Sequence, residues 1–229
     1  MRITESHLRK LIRAVLQENR LQTLTPEFKR WFGRSMLVDP NGNPIKLYHG
    51  TSGDFNVFNL SEFGNYGPGI YLTASSANAA GFASGRHQDP NASGGGSVMP
   101  LYVRLVNPLI IVEAPSAAPK IRTISGELTP GHEALQEKLS TLDAAVEYMG
   151  GRGSKEFSRE VRALGHDGII VDFTGLMTDP ADMVASGITK EELTMGEVIV
   201  FDPRQVKSAL GNPGTYDPDD PSIINESDK

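Results

Sequence analysis

The sequence contains no cysteine among its 229 residues, which excludes disulfide bonds, zinc sites with thiolate ligands and cysteine nucleophiles. It also has no apolar run near the ~20 residues that a membrane-spanning helix needs. Arg9, Lys10 and Arg13 interrupt the amino-terminal segment where a secretory signal would carry its apolar region. We therefore expect a cytoplasmic protein with no membrane partner.

Positive charge is scarce, with 22 Lys and Arg against 28 Asp and Glu and a formal net charge of −6. This balance predicts no general attraction to nucleic acid, although a local basic patch is compatible with it. With 38% hydrophobic residues, a chain of this length suits one domain with its own core. We predict an amphipathic helix and linker over residues 1–23 and one domain over residues 24–229. No feature of the sequence indicates an oligomeric state.

Several common site signatures are missing as well. The glycines between residues 64 and 69 lack the spacing and the βαβ setting of a dinucleotide-binding turn, and no P-loop or Gly-x-Ser-x-Gly elbow is present. Four histidines have no metal-ligand spacing among themselves, so we predict no metal site and assign them surface or structural roles: His7, His87, His132 and His166.

Local patterns predict short strands with interspersed helices, which favours an α+β fold over a doubly wound sheet. Hydrophobic periodicity and capping residues predict helices over residues 4–19, 25–33, 75–85, 132–149 and 154–164. Apolar runs predict strands over residues 36–38, 45–48, 98–105, 109–112, 168–173 and 197–202, the first two forming a hairpin around Asp39-Pro40-Asn41-Gly42-Asn43-Pro44. Proline, serine and threonine punctuate residues 114–131.

Three of the strand-like runs carry one polar residue that a plain core strand would not need. These runs are Tyr48-His49-Gly50, Gly69-Ile70-Tyr71 and the segment that begins at Glu197. A histidine, an aromatic and a carboxylate at the edges of three strands predict one assembled site.

The three runs resemble the strand motifs of ADP-ribosyltransferases, in the His-Tyr-Glu branch shared by diphtheria-type toxins and poly(ADP-ribose) polymerases. The sequence has a closer likeness to phage- and prophage-encoded members, over roughly residues 24–222. Further matching segments are Thr25-Pro26-Glu27-Phe28-Lys29-Arg30-Trp31-Phe32-Gly33, His166-Asp167-Gly168-Ile169-Ile170 and Asp202-Pro203-Arg204-Gln205-Val206-Lys207-Ser208-Ala209. The resemblance implies a split β-sandwich that binds NAD as its substrate.

The resemblance also implies a role for each residue of the motifs. Glu197 would bind the 2′-hydroxyl of the nicotinamide ribose and stabilise positive charge on that ribose, and His49 would contact the adenosine ribose. The backbone of Gly50 would hold the nicotinamide carboxamide, and Tyr71 and Phe82 would flank the nicotinamide ring. Two neighbouring hydroxyl side chains would contact the adenylate part: Thr51 and Ser52.

The sequence departs from the family pattern at two positions. Ala79 stands where relatives place a serine that binds the carboxamide, so that hydrogen bond is missing or comes from elsewhere. Met195 stands where arginine-modifying relatives carry Glu or Gln, which makes arginine a less favoured acceptor. The acceptor loop, over residues 173–196, is acidic, which favours a protein or small-molecule acceptor over a nucleic acid backbone, with nucleic acid kept as an alternative.

We predict that the protein is a phage- or toxin-like effector that transfers one ADP-ribose from NAD to a host macromolecule. One alternative is an NAD glycohydrolase, in which water is the acceptor and NAD is depleted. A second alternative is a catalytically silent domain that serves as a binding or virion-interaction module.

Overall fold

The computed structural model describes residues 22–85, 95–114, 117–142, 151–172, 196–210, 212 and 216–224. The helix predicted over residues 4–19 lies outside the described residues, as do residues 86–94 and nearly all of the predicted acceptor loop. Within the described part, no helix is both long and apolar enough to cross a membrane.

Helices and strands alternate irregularly along the chain, as expected for an α+β fold. The helices are α1 (Pro26–Phe32), α2 (Ser76–Ala83), α3 (Pro130–Thr141) and α4 (Arg152–Ala163). The strands are β1 (Leu47–Thr51), β2 (Ile70–Leu72), β3 (Ser97–Val103), β4 (Leu109–Ala114), β5 (Ala117–Arg122), β6 (Gly168–Asp172), β7 (Glu197–Val200) and β8 (Val206–Ser208). A 3₁₀ turn, Pro203–Gln205, connects β7 to β8.

The strands form two sheets. One sheet has three strands in the order β1-β3-β8, and the other has five in the order β2-β7-β6-β4-β5. All neighbouring strands pair antiparallel except β4 and β6, which are parallel.

Both faces of the five-stranded sheet are buried. Side chains of successive strand residues point to opposite sides, so alternate residues of one strand belong to different cores. On one side, Val198 and Val200 join residues of the three-stranded sheet in a shared core. On the other side, Ile199 packs in a second core to which α3 contributes Leu135 and α4 contributes Phe157. The site described below lies where the two sheets meet.

The sheets are joined at one backbone bridge between β1 and the residue after β2. The Tyr48 N–H donates to the Thr73 carbonyl (2.8 Å), and the Thr73 N–H donates to the Tyr48 carbonyl (3.0 Å). Away from this bridge β1 pairs with β3 and β2 pairs with β7, so the two strands diverge. A cleft opens between them.

Capping chemistry explains why α1 and α2 begin at the predicted positions. The Thr25 side chain accepts a hydrogen bond from the Phe28 N–H, and Pro26 stands at the first helical position. Ser75 caps α2 in the same way, accepting from the Asn78 N–H. Both short helices are therefore confirmed, and α1 buries its predicted apolar face of Phe28, Trp31 and Phe32.

The predicted hairpin over residues 36–48 is reduced to one bridge between Val38 and Pro44. The Asp39 carboxylate holds the turn by accepting from the Asn41 and Asn43 backbone N–H groups, both at 2.8 Å. Strand β1 begins only at Leu47, because its ladder partner is β3 rather than the preceding segment.

The sequence predicts no strand between residues 114 and 131, yet β5 lies there. Pro119 is tolerated because β5 is an edge strand, and Ile121 is buried opposite Ile111 of β4. The Gln136 side chain covers the outer edge of β5, since it accepts from the Ile121 N–H and donates to the Pro119 carbonyl, both at 2.8 Å. Helix α3 begins at Pro130, two residues before the predicted start at residue 132. It ends at Thr141, whereas the prediction extended to residue 149.

Candidate active site

The cleft between β1 and β2 has a volume of about 850 Å³, which suits a ligand the size of a nucleotide or larger. Five of the seven predicted site residues line it: His49, Gly50, Tyr71, Phe82 and Glu197. They come from two strands of the five-stranded sheet, one strand of the three-stranded sheet and helix α2. The structure thus brings together residues that lie up to 148 positions apart in the sequence.

His49 lies on β1 at the point where the two sheets diverge, and its ring is fixed from both sides. Its Nδ1 lies 2.8 Å from the Tyr71 carbonyl oxygen; because a carbonyl oxygen only accepts, Nδ1 carries the hydrogen. The Phe58 ring packs edge-on against the imidazole at 4.9 Å. Burial lowers the pKa of His49 below its usual range, more than the hydrogen bond to Tyr71 raises it. The neutral ring therefore presents Nε2 as an acceptor.

Gly50, the next residue of β1, lies directly against helix α2. A Cβ built on Gly50 would come within 1.8 Å of the Ala79 carbonyl oxygen, so no other residue fits without moving the helix. The absence of a side chain allows α2 to approach β1 closely enough for both to line the same cleft.

The loop over residues 61–69, which we call the strap, holds Tyr71. The Tyr71 hydroxyl donates to the Gly67 carbonyl (2.7 Å) and accepts from the Tyr66 N–H (3.3 Å). Gly64 lies so close to the ring that a Cβ built there would come within 2.2 Å of it. The strap is closed at its base, where Ser61 and Gly69 exchange two backbone hydrogen bonds of 2.8 and 3.2 Å.

Several apolar side chains on the cleft wall are unusually exposed. Phe82 of α2 keeps 43% of its surface exposed, Phe63 of the strap 57% and Val57 43%. Removing aromatic surface from water is energetically favourable. The two exposed phenylalanine rings of the cleft wall therefore favour binding of a ligand with planar apolar parts.

Glu197 is the first residue of β7 and pairs with Val171 of β6. Burial raises its pKa to about 7, and the negative charge of Glu113 contributes to the same shift. Among the residues that the structure describes, Glu197 forms no salt bridge. A positive charge in the cleft would therefore be stabilised by this carboxylate.

A sequence model of one protein family, described as ADP-ribosyltransferase in polyvalent proteins, matches residues 39–216. The chain belongs to this ADP-ribosyltransferase family. The α+β architecture of two sheets with peripheral helices agrees with that membership. No curated protein and no solved structure matches the chain. ADP-ribosyltransferase domains use NAD as their substrate, and the matched range contains every predicted site residue.

Two further predicted residues of this ADP-ribosyltransferase domain lie outside the cleft lining. Thr51 ends β1, and its hydroxyl accepts from the Gly53 N–H at 3.0 Å, which stabilises the following turn. Ser52 is exposed on that turn.

Two residues that the sequence analysis does not single out, Tyr66 and Glu113, act on residues of the cleft: the Tyr66 N–H donates to the Tyr71 hydroxyl, and the charge of Glu113 acts on Glu197. The Tyr66 hydroxyl donates a short hydrogen bond to the Glu113 carboxylate. Glu113 lies on the same face of the sheet as Glu197, because Glu197 is in register with Val171 and Val171 with Ile111, two residues before Glu113. The local signal in the sequence is that the Glu113 carboxylate directly follows the apolar run of β4, whereas Glu197 directly precedes the apolar run of β7.

Two histidines that we assigned to structural or surface roles form a buried pair. The Nε2 atoms of His132 and His166 lie 2.9 Å apart, and the His166 Nδ1–H donates to the Asn107 carbonyl (3.0 Å). His132 Nδ1 accepts from the Thr129 N–H at 3.1 Å, so its Nε2–H donates to His166. No group of three or more His, Asp or Glu side chains in the described part of the chain is arranged to hold a metal ion.

Proposed function

We propose that the protein transfers a single ADP-ribose from NAD to a macromolecule and releases nicotinamide. The observation that carries the proposal is Glu197, a carboxylate without a described salt-bridge partner in a cleft that Tyr71 and His49 also line. We further propose the split β-sandwich of the His-Tyr-Glu branch, which the divergence of β1 and β2 around His49 supports.

The reaction breaks the bond between C1′ of the nicotinamide ribose and the pyridinium nitrogen. The electron pair of that bond goes to the nitrogen, so nicotinamide leaves neutral and the ribose acquires positive charge. A fixed carboxylate near C1′ stabilises that charge without covalent chemistry. The acceptor then bonds to C1′ and loses its proton. Glu197 is the residue to which we assign the stabilising role.

The other cleft residues would orient NAD for this step. The neutral His49 offers Nε2 as an acceptor for a ribose hydroxyl, because its Nδ1–H is already donated to Tyr71. Gly50 lines the cleft beside His49, and its backbone would hold the carboxamide, as the resemblance implies. Tyr71 and Phe82 would flank the nicotinamide, whose positive ring is attracted to the negative faces of aromatic rings.

A host macromolecule is the acceptor we propose, since the motifs resemble those of phage-encoded effectors. The acidic composition of residues 173–196 supports a protein acceptor over nucleic acid. Water as the acceptor would make the protein an NAD glycohydrolase through the same NAD-binding residues.

The test is incubation with labelled NAD, with and without a bacterial lysate, using wild type, Glu197→Gln and the exposed control Glu127→Gln. We expect wild type and Glu127→Gln to transfer label to a macromolecule and Glu197→Gln to lose transfer at least a hundredfold. Free ADP-ribose as the sole product would favour the glycohydrolase. NAD left intact by folded wild type would overturn the enzymatic proposal and favour a binding module.

A further inference from the structure

The strap holds an amide whose acceptor atom is unsatisfied. Asn65 lines the cleft, and its Oδ1 is buried without a hydrogen-bond partner among the residues that the structure describes. The great majority of buried side-chain polar atoms in folded proteins have a partner, so such an atom in a cleft wall points to a ligand.

The position of Asn65 is fixed by its two neighbours in the chain. Gly64 packs against the ring of Tyr71, and the Gly64 carbonyl accepts from the Gly67 N–H at 3.1 Å. Tyr66 is held at both ends, through its backbone N–H to the Tyr71 hydroxyl and through its own hydroxyl to Glu113. These contacts hold the backbone on both sides of Asn65 and so keep this residue at the cleft wall.

The other polar side chains of the strap are already paired with the protein: Ser61 with Phe63, Glu62 with Lys155 and Tyr66 with Glu113. The Ser61 hydroxyl donates to the Phe63 carbonyl (2.9 Å) and accepts from the Phe63 N–H (3.1 Å). The opposite wall, on α2, offers only Ala79 and Phe82, whose side chains carry no acceptor atom. Asn65 is thus the strap side chain that a ligand can address.

We propose that Asn65 is a substrate-binding residue whose side-chain oxygen accepts a hydrogen bond from the nicotinamide-riboside half of NAD. This inference rests on the proposed function. An amide oxygen selects an N–H or O–H donor. Contact of the neighbouring Gly64 with the Tyr71 ring places Asn65 beside the nicotinamide stacking surface, so the donors within this half are the carboxamide N–H and the ribose hydroxyls.

The experiment measures NAD affinity by calorimetry and apo thermal stability for wild type, Asn65→Leu and the control Asn56→Leu. Asn56 is exposed and is not among the residues that line the cleft. Leucine keeps the volume of the asparagine side chain and removes its polar atoms. We expect Asn65→Leu to bind NAD about tenfold more weakly, the effect of one lost hydrogen bond, and Asn56→Leu to bind within twofold of wild type.

Apo stability separates a ligand contact from a structural role. Because Oδ1 has no partner among the residues that the structure describes, the melting temperature of apo Asn65→Leu should equal or exceed that of wild type. A lower melting temperature with unchanged NAD affinity would show a structural residue and overturn the proposal.

Nicotinic acid adenine dinucleotide, which lacks the carboxamide N–H, distinguishes the two donors. If the carboxamide is the donor, Asn65→Leu weakens binding of NAD and leaves binding of the analogue unchanged. If a ribose hydroxyl is the donor, both ligands lose about tenfold. Equal affinity of wild type and Asn65→Leu for NAD would overturn this inference alone, whereas failure of wild type to bind NAD would overturn the proposed function with it.

Discussion

Replacing Glu197 by glutamine should stabilise the folded protein while it removes activity. The pKa of this carboxyl is raised from 4.5 to about 7, chiefly because burial disfavours the charged form. Each pKa unit corresponds to about 1.4 kcal/mol between the two protonation states, so ionising Glu197 in the folded protein costs up to about 3 kcal/mol. Glutamine is nearly isosteric and never ionises, so the variant avoids this cost.

The sign follows from proton binding. The folded protein holds the Glu197 proton more tightly than the unfolded chain, so wild type loses stability as pH rises from 4.5 through 7. At pH 8, Glu197→Gln should therefore exceed wild type by up to about 3 kcal/mol in free energy of unfolding. At pH 4.5 both proteins carry a neutral side chain for most of the time, and the difference should fall below about 0.5 kcal/mol.

Urea unfolding at the two pH values measures this difference directly, provided that the slope against urea is the same for both proteins. Glu127→Gln removes one negative charge from an exposed turn and should change the free energy by less than about 0.5 kcal/mol at either pH. Equal stability of wild type and Glu197→Gln at pH 8 would refute the reasoning, and so would a gain of the same size at both pH values.

Three further predictions test the surroundings of the site. Glu113→Gln should lower the pKa of Glu197, because the charge of Glu113 contributes to raising it, and the acid limb of kcat/KM against pH should move to lower pH. Gly64→Ala should weaken NAD binding at least tenfold and destabilise the fold by more than about 1 kcal/mol, because the new Cβ overlaps the Tyr71 ring and φ is +133°. Burial lowers the pKa of His166, so its contribution to stability is present above pH 6.5 and is lost as pH falls below that value; His166→Gln should remove this loss in urea unfolding.

Matched variants sharpen these tests. Gly42→Ala also introduces a side chain at positive φ, +81°, but into open space, so it should cost less than Gly64→Ala in calorimetric unfolding and leave NAD binding unchanged. The His166 titration is measured in the Glu197→Gln background, because Glu197 has the opposite dependence between pH 4.5 and 7. An unmoved acid limb in Glu113→Gln would contradict the inference that the charge of Glu113 raises the pKa of Glu197.

The elements that the sequence predicts well are those whose signals are local. Thr25 and Ser75 each place a cap before a helix, and this local chemistry marks where the helix begins. Strand β5 has no such signal. Pro119 argues against a strand, and only the pairing with β4 and the covering side chain of Gln136 make the segment extended.

The same distinction holds for the site. His49, Tyr71 and Glu197, which the structure places in one cleft, could be singled out because each is an unexpected polar or aromatic residue on its own strand-like run. Tyr66 and Asn65 lie in a Gly-rich loop with no periodicity, and their roles depend on the path of the strap over Tyr71. Glu113 depends on sheet order, since β4 lies beside β6 and the pattern of β4 alone does not say which strands it joins.

The polar atoms of the cleft fall into two groups. Some form hydrogen bonds within the protein that position side chains, and others have no partner among the described residues and can bind a ligand. His49 donates Nδ1–H to the protein and keeps Nε2 without a partner among the described residues, and the hydroxyl of Tyr71 is fully used while its ring lines the cleft. In the described part of the chain, Asn65 Oδ1 is buried without a hydrogen-bond partner, and the Glu197 carboxylate, whose charged form is disfavoured by desolvation, has no salt-bridge partner. A ligand that brings hydrogen-bond donors and a positive ring relieves these costs at once. Binding of NAD should therefore raise the melting temperature more in wild type than in Glu197→Gln or Asn65→Leu, because in each variant one of those costs has already been removed.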